Sequence, residues 1–133
     1  MGLQKEQSGA DARVLYADLS YRLMSAVFAV HNALGPGFGE NVYEQALCRE
    51  LEELGIPFEC QKPIEVYYKE RKVGDYRLDI VADGKIIVEL KTVSEMCDLF
   101  EAQVLSYLKA SGIRLGILVN FGKTRVELKR IVL

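Results

Sequence analysis

Hydrophobic residues recur every three or four positions from Asp18 to Leu34, at Leu19, Leu23, Ala26, Val27, Val30 and Leu34. That spacing predicts an amphipathic helix. Asp18 suits its N-cap, and Gly35-Pro36-Gly37 stops it. A second stripe, Val42, Tyr43, Ala46, Leu47, Leu51 and Leu54, predicts a helix over 40–54 closed by Gly55. The period then changes. Ile64, Val66 and Tyr68 alternate with Glu65 and Tyr67, the pattern of a half-exposed strand over 58–68. Lys69-Glu70-Arg71-Lys72 reads as a charged turn, and Val73 begins the next strand. Tyr76 to Lys91 reads as two strands around Ala82-Asp83-Gly84. A third helix is predicted over 96–110, ending at Gly112. Leu115 to Phe121 is an apolar run of strand length, expected to be buried on both faces, and Val126 to Val132 is a last strand. The order α-α-β-β-β-α-β-β predicts an α+β domain, with helices covering a mixed sheet.

Three charges interrupt the most apolar part of that pattern: Asp79 in one arm of the central hairpin, Glu89 and Lys91 in the other. Charges in a central hairpin are costly unless they are paired or hold a metal. Side chains alternate faces along a strand, so Glu89 and Lys91 share a face and Leu90 points away. Whether Asp79 joins them depends on the turn. A two-residue loop at Asp83-Gly84 pairs Asp79 with Val88 and turns it away from Glu89. A three-residue loop, Ala82-Asp83-Gly84, pairs Asp79 with Ile87, so that Asp79 and Glu89 become diagonal neighbours within reach of one metal ion. A shared site therefore requires the longer loop or an equivalent bulge.

Composition narrows the alternatives. The chain has 133 residues, half of them hydrophobic, enough for one domain with a sizeable core. Residues 1–13 are polar and read as a disordered tail, leaving 14–133 as a single domain. No apolar run approaches the roughly 20 residues of a membrane span, so no membrane partner is expected. The start lacks the apolar stretch of a secretory signal. Three cysteines with no CxxC spacing argue against a disulfide framework or zinc site and for a reducing cytoplasm. The net charge of −2 gives no global basic footprint for nucleic acid. His31, the sole histidine, is expected to pack rather than to bind a metal. Glu40 and Glu44 share one face of the second helix, as Gln103 and Tyr107 share one face of the third.

Asp79, Glu89 and Lys91 form a D-x9-E-x-K pattern on consecutive predicted strands, after a helix carrying Glu44 and before another. In that order the chain resembles the PD-(D/E)XK nuclease superfamily, with its αβββαβ core, here with an extra N-terminal helix and a C-terminal strand. Leu78 stands where the proline of the name would be. Gly37-Phe38-Gly39-Glu40-Asn41-Val42-Tyr43 further resembles the bacterial GxxExxY family, a branch of that superfamily. So do Val88-Glu89-Leu90-Lys91, Ala102-Gln103, Ser106-Tyr107-Leu108-Lys109-Ala110 and Val119-Asn120-Phe121-Gly122.

The resemblance implies a metal-dependent nuclease acting on phosphodiester bonds, with nucleic acid, expected to be DNA, as partner and a homodimer by analogy. It implies that Asp79, Glu89 and the Leu90 carbonyl hold Mg²⁺ or Mn²⁺, hard ions suited to oxygen ligands. Lys91 and Glu44 would complete the catalytic set, and Gln103, Tyr107 and Glu40 would meet the substrate. Phe100 stands where many relatives are expected to carry histidine. That departure and the acidic balance favour the alternative, a non-catalytic nucleic-acid or protein interaction module on the same fold.

Overall fold

The structure, a computed structural model, describes residues 15–133. The expected tail over 1–13 lies outside them. The described residues form α1 (Ala17–Leu34), α2 (Glu40–Leu54), β1 (Phe58–Tyr68), β2 (Arg71–Ala82), β3 (Ile86–Lys91), α3 (Asp98–Ser111), β4 (Leu115–Asn120) and β5 (Glu127–Val132). The sheet is mixed, in the order β1-β2-β3-β4-β5. Only β3 and β4 run parallel, because α3 carries the chain across between them.

Two apolar layers sandwich the sheet. Leu23, Val27 and Val30 of α1 and Leu47 and Leu51 of α2 pack with Ile80, Val88, Leu90, Ile117 and Val119 on one face. Val104 and Leu108 of α3 pack with Leu78, Val81, Ile87 and Leu118 on the other. Every residue of β4 is buried, as its unbroken apolar run predicts. Gly116 in that strand is a packing necessity: a Cβ there would lie 2.5 Å from Cγ1 of Val104. His31 packs as expected, stacked at 6.1 Å on Phe121 with its Nε2 2.8 Å from the Lys123 carbonyl.

Several boundaries differ from the pattern-based expectation, each for a local reason. Asp18 lies inside the first turn of α1 and the N-cap position is Tyr16, so Asp18 serves the helix dipole and does not cap. The charged turn shrinks to Lys69-Glu70, both with positive φ (49° and 67°), and the hairpin zips up to Tyr68↔Arg71. Arg71 and Lys72 are therefore strand residues, and Lys72 pairs with Glu65 and Asp75 at 3.3 and 2.9 Å. α3 begins at Asp98 after an extended Cys97. The expectation against a disulfide is corrected: Cys48 of α2 and Cys60 of β1 are joined, leaving Cys97 as the exposed free thiol. Their separation of 12 positions across a helix, a turn and a strand leaves no short-range signature.

Candidate active site

The β2–β3 loop is three residues long, Asp83-Gly84-Lys85, placed one residue later than the Ala82-Asp83-Gly84 expectation. Asp83 and Gly84 both take positive φ (52° and 64°), and the Lys85 N–H bonds the Ala82 carbonyl at 2.9 Å. Regular β2–β3 pairing covers only Ala82↔Ile86, Val81↔Ile87 and Ile80↔Val88. The next rung belongs to side chains. The Asp79 N–H donates to Glu89 Oε1 at 3.2 Å, and the Leu90 N–H donates to Asp79 Oδ2 at 2.9 Å. Each carboxylate thus satisfies a backbone donor of the opposite strand where the ladder stops. This reciprocal clasp holds the two acids at a fork between β2 and β3.

The fork exists because β1 and β2 change faces together. Leu78 and Ile64 lie in the α3-side core, whereas Ile80 and Cys60 pack on the α1–α2 side. Simple alternation would put Leu78 and Ile80 on one face. The change of face falls at Asp79 and at the residue opposite it, Gln61, whose φ is 50°. The β2–β3 register is neither of the two considered from the sequence: continued past Ile80↔Val88 it sets Asp79 opposite Glu89, which meets the requirement of a shared site.

The helix carboxylates close on the same place. Glu44 is buried, and Gln61 Nε2 donates to its Oε1 at 2.7 Å and to Asp79 Oδ1 at 3.5 Å. Burial raises the Glu44 pKa, with Asp79 and Glu40 adding to it and the Gln61 bond opposing. Glu40, largely exposed in the first turn of α2, is also raised, by desolvation and then by Asp79, with Lys91 opposing. Glu89 is 6% exposed, and its carboxyl is pushed up to about 8, first by burial and then by Asp79. Four carboxyl groups from α2, β2 and β3 therefore feel one another, and three of them hold their protons more tightly than a free glutamate does.

Lys91 follows Glu89 by two positions and faces α3, as alternation predicts. Its ammonium donates to Gln103 Oε1 at 3.3 Å and sits 4.5 Å from the Phe100 ring centroid. Among the described residues it makes no ion pair within 4 Å. Tyr107, one turn beyond Gln103, lies against Tyr76 with ring centroids 5.8 Å apart. Burial raises its phenol pKa, and the charges of Glu89 and Asp79 raise it further, which puts the ring within electrostatic reach of the fork. All eight residues singled out from the sequence stand in this region: Asp79, Glu89, Leu90, Lys91, Glu44, Glu40, Gln103 and Tyr107.

Two further residues shape the site: Gln61, which the sequence pattern does not single out, and Asn120, which stands in the Val119–Gly122 stretch without a role assigned to it. Gln61 bridges the acids of two elements, but a glutamine in a polar strand carries no signal of a left-handed backbone. Asn120 is fully buried and uses its whole amide: Oδ1 accepts from the Val93 and Gly122 N–H groups at 3.0 and 2.9 Å, and Nδ2 donates to the Val93 carbonyl and Glu127 at 2.9 and 3.1 Å. With the Phe121 N–H bonding the Lys91 carbonyl at 2.9 Å, this fixes the chain just past Lys91. Gly122 must lack a side chain, since a Cβ would come within 2.6 Å of the Val93 backbone. The Gly37–Tyr43 stretch has a matching logic. Gly37 takes φ 118°, Tyr43 is wholly buried with its ring stacked 4.6 Å from Phe121, and its hydroxyl donates to the Gly35 carbonyl. This lock sets the start of α2, and with it Glu40 and Glu44.

The donor set at the fork consists of hard oxygens, in keeping with Mg²⁺ or Mn²⁺ rather than a soft metal. Burial first, and then the nearby Asp79 charge, raise the Glu89 pKa, so a negative charge on this carboxyl is favoured by any cation placed beside it. Among the described residues no three His, Cys, Asp or Glu side chains are close enough to form a complete protein-only metal cage. A cation here would rest on Asp79, Glu89 and backbone oxygen, with water filling the remaining positions, as Mg²⁺ commonly does.

Comparison with known proteins agrees with this architecture. Residues 17–131 match the family profile described as the PD-(D/E)XK nuclease superfamily. The crystal structure of SSO0001 superposes with a TM-score of 0.57 at 22% identity, a likeness of fold. The match covers 90% of this chain and 60% of that one, so this chain spans less than two thirds of its structural relative. The search of curated proteins gives no match.

Proposed function

The chain belongs to the PD-(D/E)XK nuclease superfamily, and from that premise we propose that it is a metal-dependent nuclease hydrolysing phosphodiester bonds in DNA, of the GxxExxY branch. The observation that carries this reading is the reciprocal clasp of Asp79 and Glu89 beside the Lys91 ammonium, whose hydrogen bond goes to Gln103. A phosphodiester is anionic and repels hydroxide. A bound Mg²⁺ or Mn²⁺ supplies charge neutralisation and a bound water of lowered pKa.

The chain's own residues do the rest. Asp79, Glu89 and the Leu90 carbonyl would hold the cation. Lys91 points its charge at the phosphate and stabilises the negative charge that builds up on it. Glu44, kept in place by Gln61, and Glu40 at the mouth add negative charge on the α2 side and orient water there. Gln103 holds the Lys91 ammonium in position, and Tyr107 borders the path of the strand. No helix among the described residues is long and apolar enough to cross a membrane. The reading takes the protein as a homodimer by analogy with other small nucleases.

A second reading has one observation in its favour. Phe100 covers Lys91 at 4.5 Å and contributes no proton-transfer group where a histidine is expected. On that reading the fold serves as a non-catalytic interaction module. The test incubates purified protein with Mg²⁺ or Mn²⁺ and single-stranded, duplex and branched DNA, and RNA. Cleavage of DNA that disappears in Asp79→Asn and Glu89→Gln supports the nuclease. Absence of metal-dependent cleavage of every substrate rejects it in favour of the module.

A further inference from the structure

The β1–β2 hairpin projects past the fork, and α3 lies alongside it. Between them runs a cleft of about 660 Å³. Its inner end is Gln103, the residue that holds Lys91. Its walls carry three tyrosines from three elements: Tyr67 of β1, Tyr76 of β2 and Tyr107 of α3. Tyr67 and Tyr76 are more than half exposed, at 58% and 52%. Large rings left in water along a groove that leads into a polar site are a surface in want of a flat apolar ligand.

The charges along the cleft suit an anion. Lys109 lines it and Lys91 stands at its inner end. Glu65, the one carboxylate among the lining residues, already accepts from the Tyr67 hydroxyl at 2.8 Å and pairs with Lys72 at 3.3 Å. The Glu65 pKa is lowered by those same partners, Tyr67 first. It stays ionised and shares Lys72 with Asp75, so the cationic wall of the cleft is the α3 side, at Lys109.

We infer that this cleft binds an unpaired stretch of DNA, its bases stacked on Tyr76 and Tyr107 and its backbone led past Lys109 to the fork. The inference rests on the nuclease reading and names its substrate class as single-stranded DNA or a single-stranded tail. Stacking requires a free base face. In a duplex both faces of each base are covered by neighbours, so a tyrosine can engage only an unstacked base. Tyr76 stands three residues before Asp79 on the same strand, roughly 10 Å away at the usual strand rise. A base held there leaves the next phosphates within reach of the acids.

The test separates binding from cleavage. Fluorescein-labelled 12-mer single-stranded DNA and its duplex are titrated with the full chain in EDTA, read by anisotropy. Tight binding of the single strand, at least tenfold over the duplex, is expected. Tyr76→Ala is expected to weaken it roughly 5- to 100-fold, the range for losing one stacked base, and Tyr76→Phe to keep it because the ring face remains. Lys109→Ala is expected to weaken single-strand binding and to flatten its salt dependence. Equal affinity for duplex, or no change in Tyr76→Ala, overturns the cleft assignment even if the protein cuts DNA. Tyr76-dependent single-strand binding by a protein that cleaves nothing supports the cleft while rejecting the nuclease. A dimer that Tyr76→Ala dissociates, with no DNA binding, assigns the groove to a second copy of the chain and overturns the inference.

Discussion

Glu89→Gln should make the metal-free protein more stable at pH 8 and no more stable at pH 5. In the folded chain the Glu89 carboxyl is 6% exposed beside Asp79, and its pKa rises from 4.5 to about 8. A raised acid pKa means that the native state keeps a proton that the unfolded chain has released. Its contribution to stability is therefore complete below about pH 4.5 and drains away as pH climbs toward 8. One proton corresponds to at most about 1.4 kcal/mol per pH unit, so the whole interval has a ceiling on the order of 4 to 5 kcal/mol. Local relaxation and water entry bring the expected effect to about 2 kcal/mol.

Glutamine keeps the shape and the oxygen that accepts from the Asp79 N–H, adds an N–H₂ that can face the Asp79 carboxylate, and cannot ionise. For a domain of this size about 2 kcal/mol is a rise in Tm of roughly 6 to 10 °C. The assay is thermal unfolding followed by circular dichroism at pH 5, 6, 7 and 8 in EDTA, for both proteins. The gap should open steadily with pH. Addition of Mg²⁺ should then raise the Tm of the wild type alone, since a ligand stabilises only the state that binds it. Parallel pH profiles for the two proteins would show that Glu89 is not a buried, proton-holding acid, and the electrostatic account of the fork would fail.

Other expectations follow from single contacts. Asn120→Ala takes the partner from the half-buried Val93 amide and carbonyl and should cost about 1 to 3 kcal/mol in urea unfolding; a loss under about 0.5 kcal/mol would mean that the loop after Lys91 is held by other means. Gln61→Ala frees Glu44 and Asp79 from their shared donor and should weaken Mn²⁺ binding several-fold with little change in Tm; unchanged affinity would make Gln61 a bystander. Cys60→Ser removes the link to Cys48, which closes a short loop, and should cost about 2 to 3 kcal/mol under non-reducing conditions; equal stability of variant and wild type in the absence of reductant would contradict the link.

The features legible in the sequence were those written in local period. The 40–54 helix and the 58–68 strand fall on the boundaries that their patterns give, and β4 is buried throughout as its unbroken run requires. Glu89 and Lys91 share a face because alternation along β3 is regular. The fork itself was not legible, since it depends on two strands breaking alternation at the same rung. Gln61 enters a left-handed conformation and Asp79 gives its neighbours opposite faces, and neither residue type announces this. The loop came out one residue later than the Ala82-Asp83-Gly84 expectation, with Asp83 and Gly84 both at positive φ and Lys85 as its third residue. The Asn120–Val93 bonds span 27 positions, and the Cys48–Cys60 link crosses from a helix to a strand without a CxxC-type spacing, so neither left a mark in local pattern.

The central claim is that Asp79 and Glu89 form a seat for one divalent cation, and calorimetric titration of Mn²⁺ into the metal-free protein at pH 8 tests it most directly. The account predicts about one ion per chain. It further predicts loss of binding in Asp79→Asn and in Glu89→Gln, and affinity that weakens as the pH is lowered and Glu89 takes up its proton. A wild-type protein that takes up no Mn²⁺, or binds it equally well after either substitution, would contradict it.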